Sequence, residues 1–248
     1  VVDIAKREKR FKNVEIRVSK KNKGLANSIT GGVTEIVEKY GRVIVLEDDL
    51  LTTQNFLLYM NQALDEYEET KNVFSISGYS LNLMSASYPS ETTYFLNRSW
   101  SWGWATWKDR WSEVDWDVKD YSSFRSNWSK RRQFAQAGSD LNRMLRQQME
   151  GKLDSWAIRW FYHQYKVKGL TLYPVHSKVQ NIGFDEMATH SSGSDLRFRP
   201  FLDKDCSAKV TFPQSVHIDR TFQKRFNQKM GYFARAMSKL KSITGITR

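Results

Sequence analysis

The feature that most constrains the fold is a short apolar run that ends in three acidic residues. The run over residues 43–46 (Val-Ile-Val-Leu) is followed directly by Glu47, Asp48 and Asp49. Such a run is typical of a central strand in a parallel sheet, covered on both faces. Ligands bind beyond the carboxyl ends of these strands, and adjacent carboxylates there suit a hard divalent cation that carries phosphates. The alternative interpretation is an acidic loop that caps the next helix.

The surrounding sequence predicts strands that alternate with helices. Alternating apolar and polar residues over 14–18 predict a strand, and apolar residues at helical spacing from Leu25 to Tyr40 predict the helix that joins it to the run at 43–46. A strand, crossover helix and strand of this kind places its two strands parallel. Further helices are predicted over 56–69, over 140–150 and after Asp154, and further strands over 73–77 and 171–175. We therefore expect an α/β fold with a mostly parallel sheet flanked by helices.

Composition bounds the class of protein. A chain of 248 residues can bury a substantial core as one domain with an appendage. Cys206 is the only cysteine, so no intrachain disulfide is possible, and a reducing compartment is the simplest interpretation. No apolar segment is long enough to span a membrane, and the amino terminus lacks the apolar region of a signal peptide. These features predict a cytoplasmic protein.

The net charge of +12 is concentrated at the carboxyl end. Residues 206–248 hold nine Lys or Arg against the single acid Asp219, a net of +8. Apolar residues recur there at helical spacing from Ile218 to Leu240, which predicts a basic amphipathic helix that could lie on an anionic membrane surface at the cytoplasmic face. The alternative is a helix docked on the rest of the protein. We accordingly divide the chain into residues 1–205 and a basic helical segment, residues 206–248.

Tryptophan is concentrated in the middle of the chain. Seven of the nine tryptophans lie between residues 88 and 128. They are Trp100, Trp102, Trp104, Trp107, Trp111, Trp116 and Trp128. Flat indole rings suit the apolar faces of sugar rings, although a hydrophobic core beneath a long loop would also account for them.

Several motifs, taken in order, resemble one enzyme family. They are the turn Asn22-x-Gly24-x-x-Asn27, the acidic triplet, the segment Trp102-Gly103-Trp104 and the later isolated acid Asp154. Together they resemble GT-A glycosyltransferases, which have a Rossmann-type sheet. They are similar in particular to the N-acetylglucosaminyltransferase I family and to bacterial sugar transferases that build surface polysaccharides. The first strand of that fold has no counterpart before Val14, so we expect this chain to begin some tens of residues into a longer protein.

The resemblance implies roles for the acids and the turn. Asp49 would bind Mn²⁺ or Mg²⁺ at the donor diphosphate, Asp48 would contact the ribose or the waters of the metal, and Glu47 would face the donor sugar. Asn22 and Asn27 would belong to the nucleotide-sugar site. In the polar loop over 181–195, His190 would bind the metal or donate to phosphate, and the alternative for this lone histidine is a structural role.

The resemblance also implies a catalytic base and a sugar pocket. Asp154 would take the proton of the acceptor hydroxyl, which implies direct displacement with inversion. An aspartate before Ser155 can equally be a helix cap. Trp102, Gly103 and Trp104 would shape the donor and acceptor sugar pockets, with the hydrophobic core as the alternative for the indoles.

The resulting expectation is a metal-dependent, inverting glycosyltransferase. It would take a nucleoside-diphosphate sugar such as a UDP-sugar, and a carbohydrate or lipid-linked saccharide acceptor. One rival is a sugar-nucleotide pyrophosphorylase, which has a similar sheet and similar acids. The other is a non-enzymatic polyanion or nucleic-acid binding protein, given the pI near 9.7. The clustering of charge in the tail and the acids at the strand end argue against nucleic acid.

Overall fold

The computed structural model describes residues 2–183, 198–206 and 209–233 and shows an α/β fold built on a five-stranded sheet. In order across the sheet, the strands are β1 (Arg42–Val45), β5 (Trp104–Trp107), β3 (Val73–Ser77), β6 (Leu170–Pro174) and β4 (Thr93–Leu96). A separate antiparallel pair joins β2 (Leu50–Thr52) to β7 (Val179–Asn181). The predicted α/β class is confirmed, as are the strands predicted over 73–77 and 171–175.

The prediction of a mostly parallel sheet is wrong, because three of the four strand pairs are antiparallel. β1, β3 and β6 do run in one direction, but β5 lies between β1 and β3 and runs the opposite way. Ala105 of β5 pairs with Ile44 on one side and with Ile76 on the other. The pattern does not predict β5, because a Trp-Ala-Thr-Trp sequence inside a tryptophan-rich segment shows no clear strand period.

β1 is an edge strand of the described sheet rather than the predicted central strand. The only strand that pairs with it among the described residues is β5. Its first three residues are partly exposed and only Val45 is buried. An all-apolar run therefore predicted the strand correctly but overstated how far its two faces are covered.

In the described part of the chain, eight helices precede the last strands, and all of them except the first, which has no buried residue, contribute to the hydrophobic packing around the sheet. They are α1 (Val2–Arg7), α2 (Leu25–Tyr40), α3 (Phe56–Glu66), α4 (Lys108–Ser112), α5 (Tyr121–Ser126), α6 (Trp128–Phe134), α7 (Leu141–Met149) and α8 (Trp156–Lys166), with a 3-10 turn at Ala135–Ala137. The predictions of α2, α3, α7 and α8 are confirmed, although α3 ends three residues earlier than expected. The apolar spacing alone was sufficient for these four helices.

Two hydrophobic clusters fill the space between the helices and the sheet. Trp104 belongs to a cluster with Val33 of α2 and Trp160 of α8, whereas Ala105 and Trp107 belong to another cluster, with α3. Because successive side chains of a strand point to opposite faces, the two clusters lie on the two faces of the sheet. Most of the tryptophan-rich segment therefore serves the core, as the alternative interpretation proposed.

The strand predicted over residues 14–18 is absent, and the chain there is in an irregular conformation. Val14 and Val18 are exposed, at 44% and 69%. Arg17 forms ion pairs with Glu15 and with Glu35 of α2. Alternation of apolar and polar residues shows that a segment is suited to a sheet, but none of the described strands pairs with residues 14–18.

The basic segment contains a helix that is docked on the core. α9 (Arg220–Met230) is capped by Asp219, whose Oδ1 accepts from the backbone N–H of Thr221 and Phe222. Phe222 stacks on Tyr94 of β4 at 3.8 Å between ring centroids, and Phe226 and Met230 are also buried. The amphipathic pattern is confirmed for α9, but its apolar side faces protein. The boundary at 205/206 stays a prediction, and residues 234–248 lie outside the described part.

Among the described residues, none of the helices combines the length and the apolar character needed to cross a membrane.

Candidate functional site

The acidic triplet forms the turn between β1 and β2, at the carboxyl end of β1 as predicted. Asp48 and Asp49 are exposed and Glu47 is partly buried. Asp49 has a positive φ of 59°, a conformation that costs a residue with a side chain on the order of 1–3 kcal/mol. Its carbonyl accepts a hydrogen bond of 2.8 Å from Ile182 N–H, directly after β7. The second sheet thus holds the turn in place.

Glu47 lies in a drier environment than the two aspartates that follow it. Burial raises the pKa of Glu47 above its usual value, a hydrogen bond with the Trp156 side chain opposes the rise, and the negative charge of Asp48 adds to it. Its Oε1 atom is buried and has no hydrogen-bond partner among the described residues. An orphaned buried carboxylate oxygen is costly and marks a place where a ligand group could bind. Trp156 also links this acid to the start of α8.

Asp154 lies just before α8 without capping it. The cap is Ser155, whose Oγ accepts from Ile158 N–H at 3.3 Å. The Asp154 side chain is 65% exposed, and its Oδ1 lies 3.5 Å from Nη2 of Arg159. Because the neighbouring serine satisfies the helix terminus, the capping alternative for Asp154 loses its basis.

The turn at residues 22–27 lies beside Asp154. A Cβ atom placed on Gly24 would lie 3.7 Å from Oδ2 of Asp154. Asn22 Oδ1 accepts from Gly24 N–H at 2.8 Å, and Asn27 Nδ2 donates to the Lys23 carbonyl at 3.0 Å. These amide groups therefore shape the turn. With φ of 75° and no side chain, Gly24 keeps the space beside the carboxylate open.

The segment Trp102-Gly103-Trp104 is split between surface and core. Trp102 is partly buried and contacts Tyr79 edge to face at 4.7 Å. A Cβ on Gly103, which has φ of 63°, would lie 2.7 Å from Cγ2 of Val179 and 3.3 Å from Cδ2 of Leu46, so glycine is needed for this close approach. The segment therefore packs against the residue that precedes the acidic triplet.

Trp104 has no surface to offer a sugar ring, which corrects its assignment to the sugar pocket. It is 1% exposed and stacks on Trp156 with 5.0 Å between ring centroids. In the sequence, a large aromatic residue that follows glycine was equally consistent with a pocket wall or with the core. In the structure Trp104 belongs to the core, because β5 is covered on both faces. Trp104 thus supports the site from behind through Trp156.

His190 lies outside the described residues. The chain on its near side is described as far as Gly183, where an added Cβ would lie 2.6 Å from Oδ2 of Asp49. The polar loop predicted over 181–195 therefore starts against the Asp49 carboxylate. The predicted role of His190 stays a prediction.

The donor set at the triplet fits a metal ion only in part. No group of three or more His, Cys, Asp or Glu able to hold a metal occurs in the described ranges. Asp48 and Asp49 nevertheless offer exposed carboxylate oxygens, the ligand type that Mg²⁺ and Mn²⁺ prefer. Such ions are commonly held by one or two carboxylates, with phosphate oxygens and water completing the octahedron. The residues present suit an ion that is shared with a diphosphate.

Two residues of the site were not predicted from the sequence. Trp156 was not singled out as a site residue within the helix predicted after Asp154, yet it contacts Glu47 and Trp104. Arg159 was not singled out, although it is one helical turn beyond Ser155 and pairs with Asp154. Asp154 and Arg159 are five residues apart, whereas helical side chains pair at three or four, so the sequence carried no clear signal for that pair.

The comparisons with known proteins do not place the chain in a family. No protein-family model matches it. No curated protein matches it either. The function is therefore argued from the geometry of the site and from the resemblance of its motifs.

Proposed function

We propose that this protein is a metal-dependent, inverting glycosyltransferase that moves a sugar from a nucleoside-diphosphate donor, such as a UDP-sugar, to a carbohydrate or lipid-linked saccharide acceptor. The observation that carries the proposal is that separate motifs meet at the carboxyl end of β1. Gly103 packs on Leu46, Glu47 contacts Trp156, and Asp154 lies beside Gly24. An accidental similarity of scattered motifs would not require them to lie together.

The acids have different environments that suit different tasks. Asp48 and Asp49 are exposed at the turn and would bind the diphosphate through Mg²⁺ or Mn²⁺. A bound ion of this kind would act as a Lewis acid on the leaving diphosphate. Glu47 is half-buried with its pKa raised by burial, so its carboxyl group can hold a hydrogen bond to a donor-sugar hydroxyl in a drier environment.

The two oxygens of Asp154 face different groups. Oδ1 is near the Arg159 guanidinium, while Oδ2 faces the open space at Gly24. In the proposed reaction, Oδ2 accepts the proton of the acceptor hydroxyl while the oxygen of that hydroxyl bonds to the anomeric carbon of the donor sugar. The bond between this carbon and the diphosphate oxygen breaks at the same time, and the electron pair leaves with the diphosphate. One displacement of this kind inverts the anomeric configuration.

We also infer a cytoplasmic location, because a single cysteine, Cys206, is consistent with a reducing compartment. Contact with an anionic membrane would depend on the lysines and arginines of the basic segment, residues 206–248, because the apolar side of α9 is already packed on β4.

The proposed activity is tested by incubating the protein with a panel of UDP-, GDP- and dTDP-sugars and Mn²⁺ and following the release of nucleoside diphosphate. We expect turnover with one donor class that is lost when EDTA removes the metal. Asp154→Asn should lower the release by on the order of a hundredfold or more, and Asp65→Asn, an exposed acid paired with Arg42, should leave it unchanged. Absence of both turnover and donor binding across the panel, in protein shown to be folded, would contradict the proposal.

A further inference from the structure

A concave surface lies away from the candidate site, between α6, the end of α8 and α9. Four adjoining cavities of about 500 to 660 Å³ form it. They share walls, because Gln136, Ile218 and Asn227 each line two of them. We call this continuous surface the basic groove. Each cavity is within the size range of small-ligand sites, so the groove as a whole suits an extended ligand.

The groove carries a strong excess of positive charge. Eight lysines or arginines line it against one acid, Asp120. Three of these cations lie on α6, three on α9, and two at the end of α8. Asp120 is already neutralised by Lys166 at 3.1 Å. A concave surface with one sign of charge concentrates ions of the other sign, so the ligand is expected to be anionic.

Three residues that line the groove each have a buried side-chain oxygen that accepts no hydrogen bond from the described residues. They are Asn97, Asn142 and Gln223. Two of these amides are fixed in orientation, because Asn142 Nδ2 donates to the Arg131 carbonyl at 2.8 Å and Gln223 Nε2 donates to the Gln136 carbonyl at 3.2 Å. Their free atoms are therefore acceptors, and unsatisfied buried acceptors are rare. The ligand should supply hydrogen-bond donors such as hydroxyl groups.

An exposed indole adds an apolar surface. Trp128, at the start of α6, is 63% exposed, lines the groove and has the Arg132 guanidinium 5.3 Å from its ring centroid. Exposed aromatic rings among amide side chains suit the faces of sugar rings. A flat lipid surface would instead need an apolar face, and that of α9 is buried.

We propose that the basic groove binds an acidic saccharide chain, in which carboxylate or phosphate groups meet the cations and hydroxyl groups meet the orphaned amide oxygens. The groove is distinct from the candidate site. It adjoins the carboxyl end of α8, whereas Asp154 precedes the amino end, and a helix of 11 residues spans roughly 16 Å. The proposal holds whether or not the protein transfers sugars.

The test is a binding titration of the full chain with an oligogalacturonate, with a neutral maltooligosaccharide of similar length as the comparison. We expect binding of the acidic chain alone, weakened by added salt. Arg131→Gln combined with Lys224→Gln should lower the affinity about tenfold or more, because both exposed cations would lose charged hydrogen bonds. The matched control, Lys39→Gln with Lys71→Gln, removes the same charge outside the groove and should bind normally.

A second readout separates recognition of a saccharide from general attraction of polyanions. Asn142→Leu should weaken the oligogalacturonate without changing the charge, and Trp128→Phe should remove most of the fluorescence change on binding. The proposal is overturned if the oligogalacturonate does not bind. It is also overturned if single-stranded DNA or phosphatidylglycerol vesicles bind as tightly and are unaffected by Asn142→Leu, because charge alone would then account for the groove.

Discussion

Asp154 and Ser155 are neighbours, yet only Ser155 caps α8. The Ser155 hydroxyl accepts from Ile158 N–H, and the Asp154 carboxylate remains exposed between Gly24 and Arg159. This separates helix stability from the proposed catalysis at two adjacent positions. Substitution of Asp154 should therefore leave the stability of α8 intact, and substitution of Ser155 should leave the proposed catalysis intact.

Asp154→Asn is expected to lower turnover by on the order of a hundredfold or more, because asparagine cannot take the proton. Its free energy of unfolding should change by less than about 1 kcal/mol, since the Asp154 side chain is exposed and its ion pair with Arg159 is long, at 3.5 Å. Ser155→Ala should show the opposite result, with about 1 kcal/mol lost and turnover retained. Steady-state kinetics and urea denaturation of both variants check this. Equal turnover in Asp154→Asn and the wild type would remove Asp154 from the reaction.

Glu47→Gln is expected to stabilise the protein at neutral pH while reducing activity. Burial raises the pKa of Glu47 in the folded state, so its contribution to stability is fully present below the unfolded pKa and is lost as pH rises through the folded pKa. Glutamine stays neutral throughout. The variant should thus match the wild type near about pH 4, where carboxyl groups protonate, and exceed it at about pH 7. Urea denaturation at both pH values measures this, and a constant difference would contradict it.

Gly24→Ala is expected to destabilise the protein by about 1–3 kcal/mol, because the backbone at φ 75° and ψ 158° is nearly restricted to glycine. Gly31→Ala is the matched control. Gly31 is inside α2 with no atom within 4 Å of an added Cβ, so alanine there should stabilise by roughly 0.5–1 kcal/mol. Thermal denaturation of the two variants should therefore shift in opposite directions. A stabilised Gly24→Ala protein would show that the turn differs from the one described.

The helices could be predicted from the sequence because apolar residues at three- and four-residue spacing form one continuous face on a helix and on no strand. The prediction of strands from the sequence was less successful. Residues 14–18 alternate as a strand does but have no described partner, while β5 forms from Trp104–Trp107 without alternation because pairing on both sides and burial on both faces decide it. A local pattern cannot report pairing between distant segments.

The candidate site was predicted in outline rather than in detail. The acids after β1 and Asp154 were identified, since a charged group at an element boundary stands out from its neighbours. The core position of Trp104 was only the alternative interpretation, and the link from Trp156 to Glu47 was not predicted, because an indole has the same sequence signature in a pocket and in a core. Long-range packing decides between the two.

Phe222→Ala is expected to cost about 3–5 kcal/mol of unfolding free energy, because the ring is 3% exposed and stacked on Tyr94. Phe233→Ala is the control, since that ring is 81% exposed and should contribute little. Removal of all residues after Thr211 should accordingly destabilise the whole domain. Unchanged denaturation curves for Phe222→Ala would show that α9 is not part of the core in solution. The apolar side of α9 would then be free to contact a membrane, as the sequence predicted.

The central claim is that the acids after β1 bind a metal together with a nucleoside diphosphate. Isothermal titration calorimetry of UDP into the protein, with and without Mn²⁺, measures this most directly. We predict Mn²⁺-dependent binding that Asp49→Asn abolishes at unchanged thermal stability and that Asp65→Asn, an exposed acid elsewhere, leaves intact. The same affinity for UDP in Asp49→Asn and the wild type, or binding that does not respond to Mn²⁺, would contradict the claim.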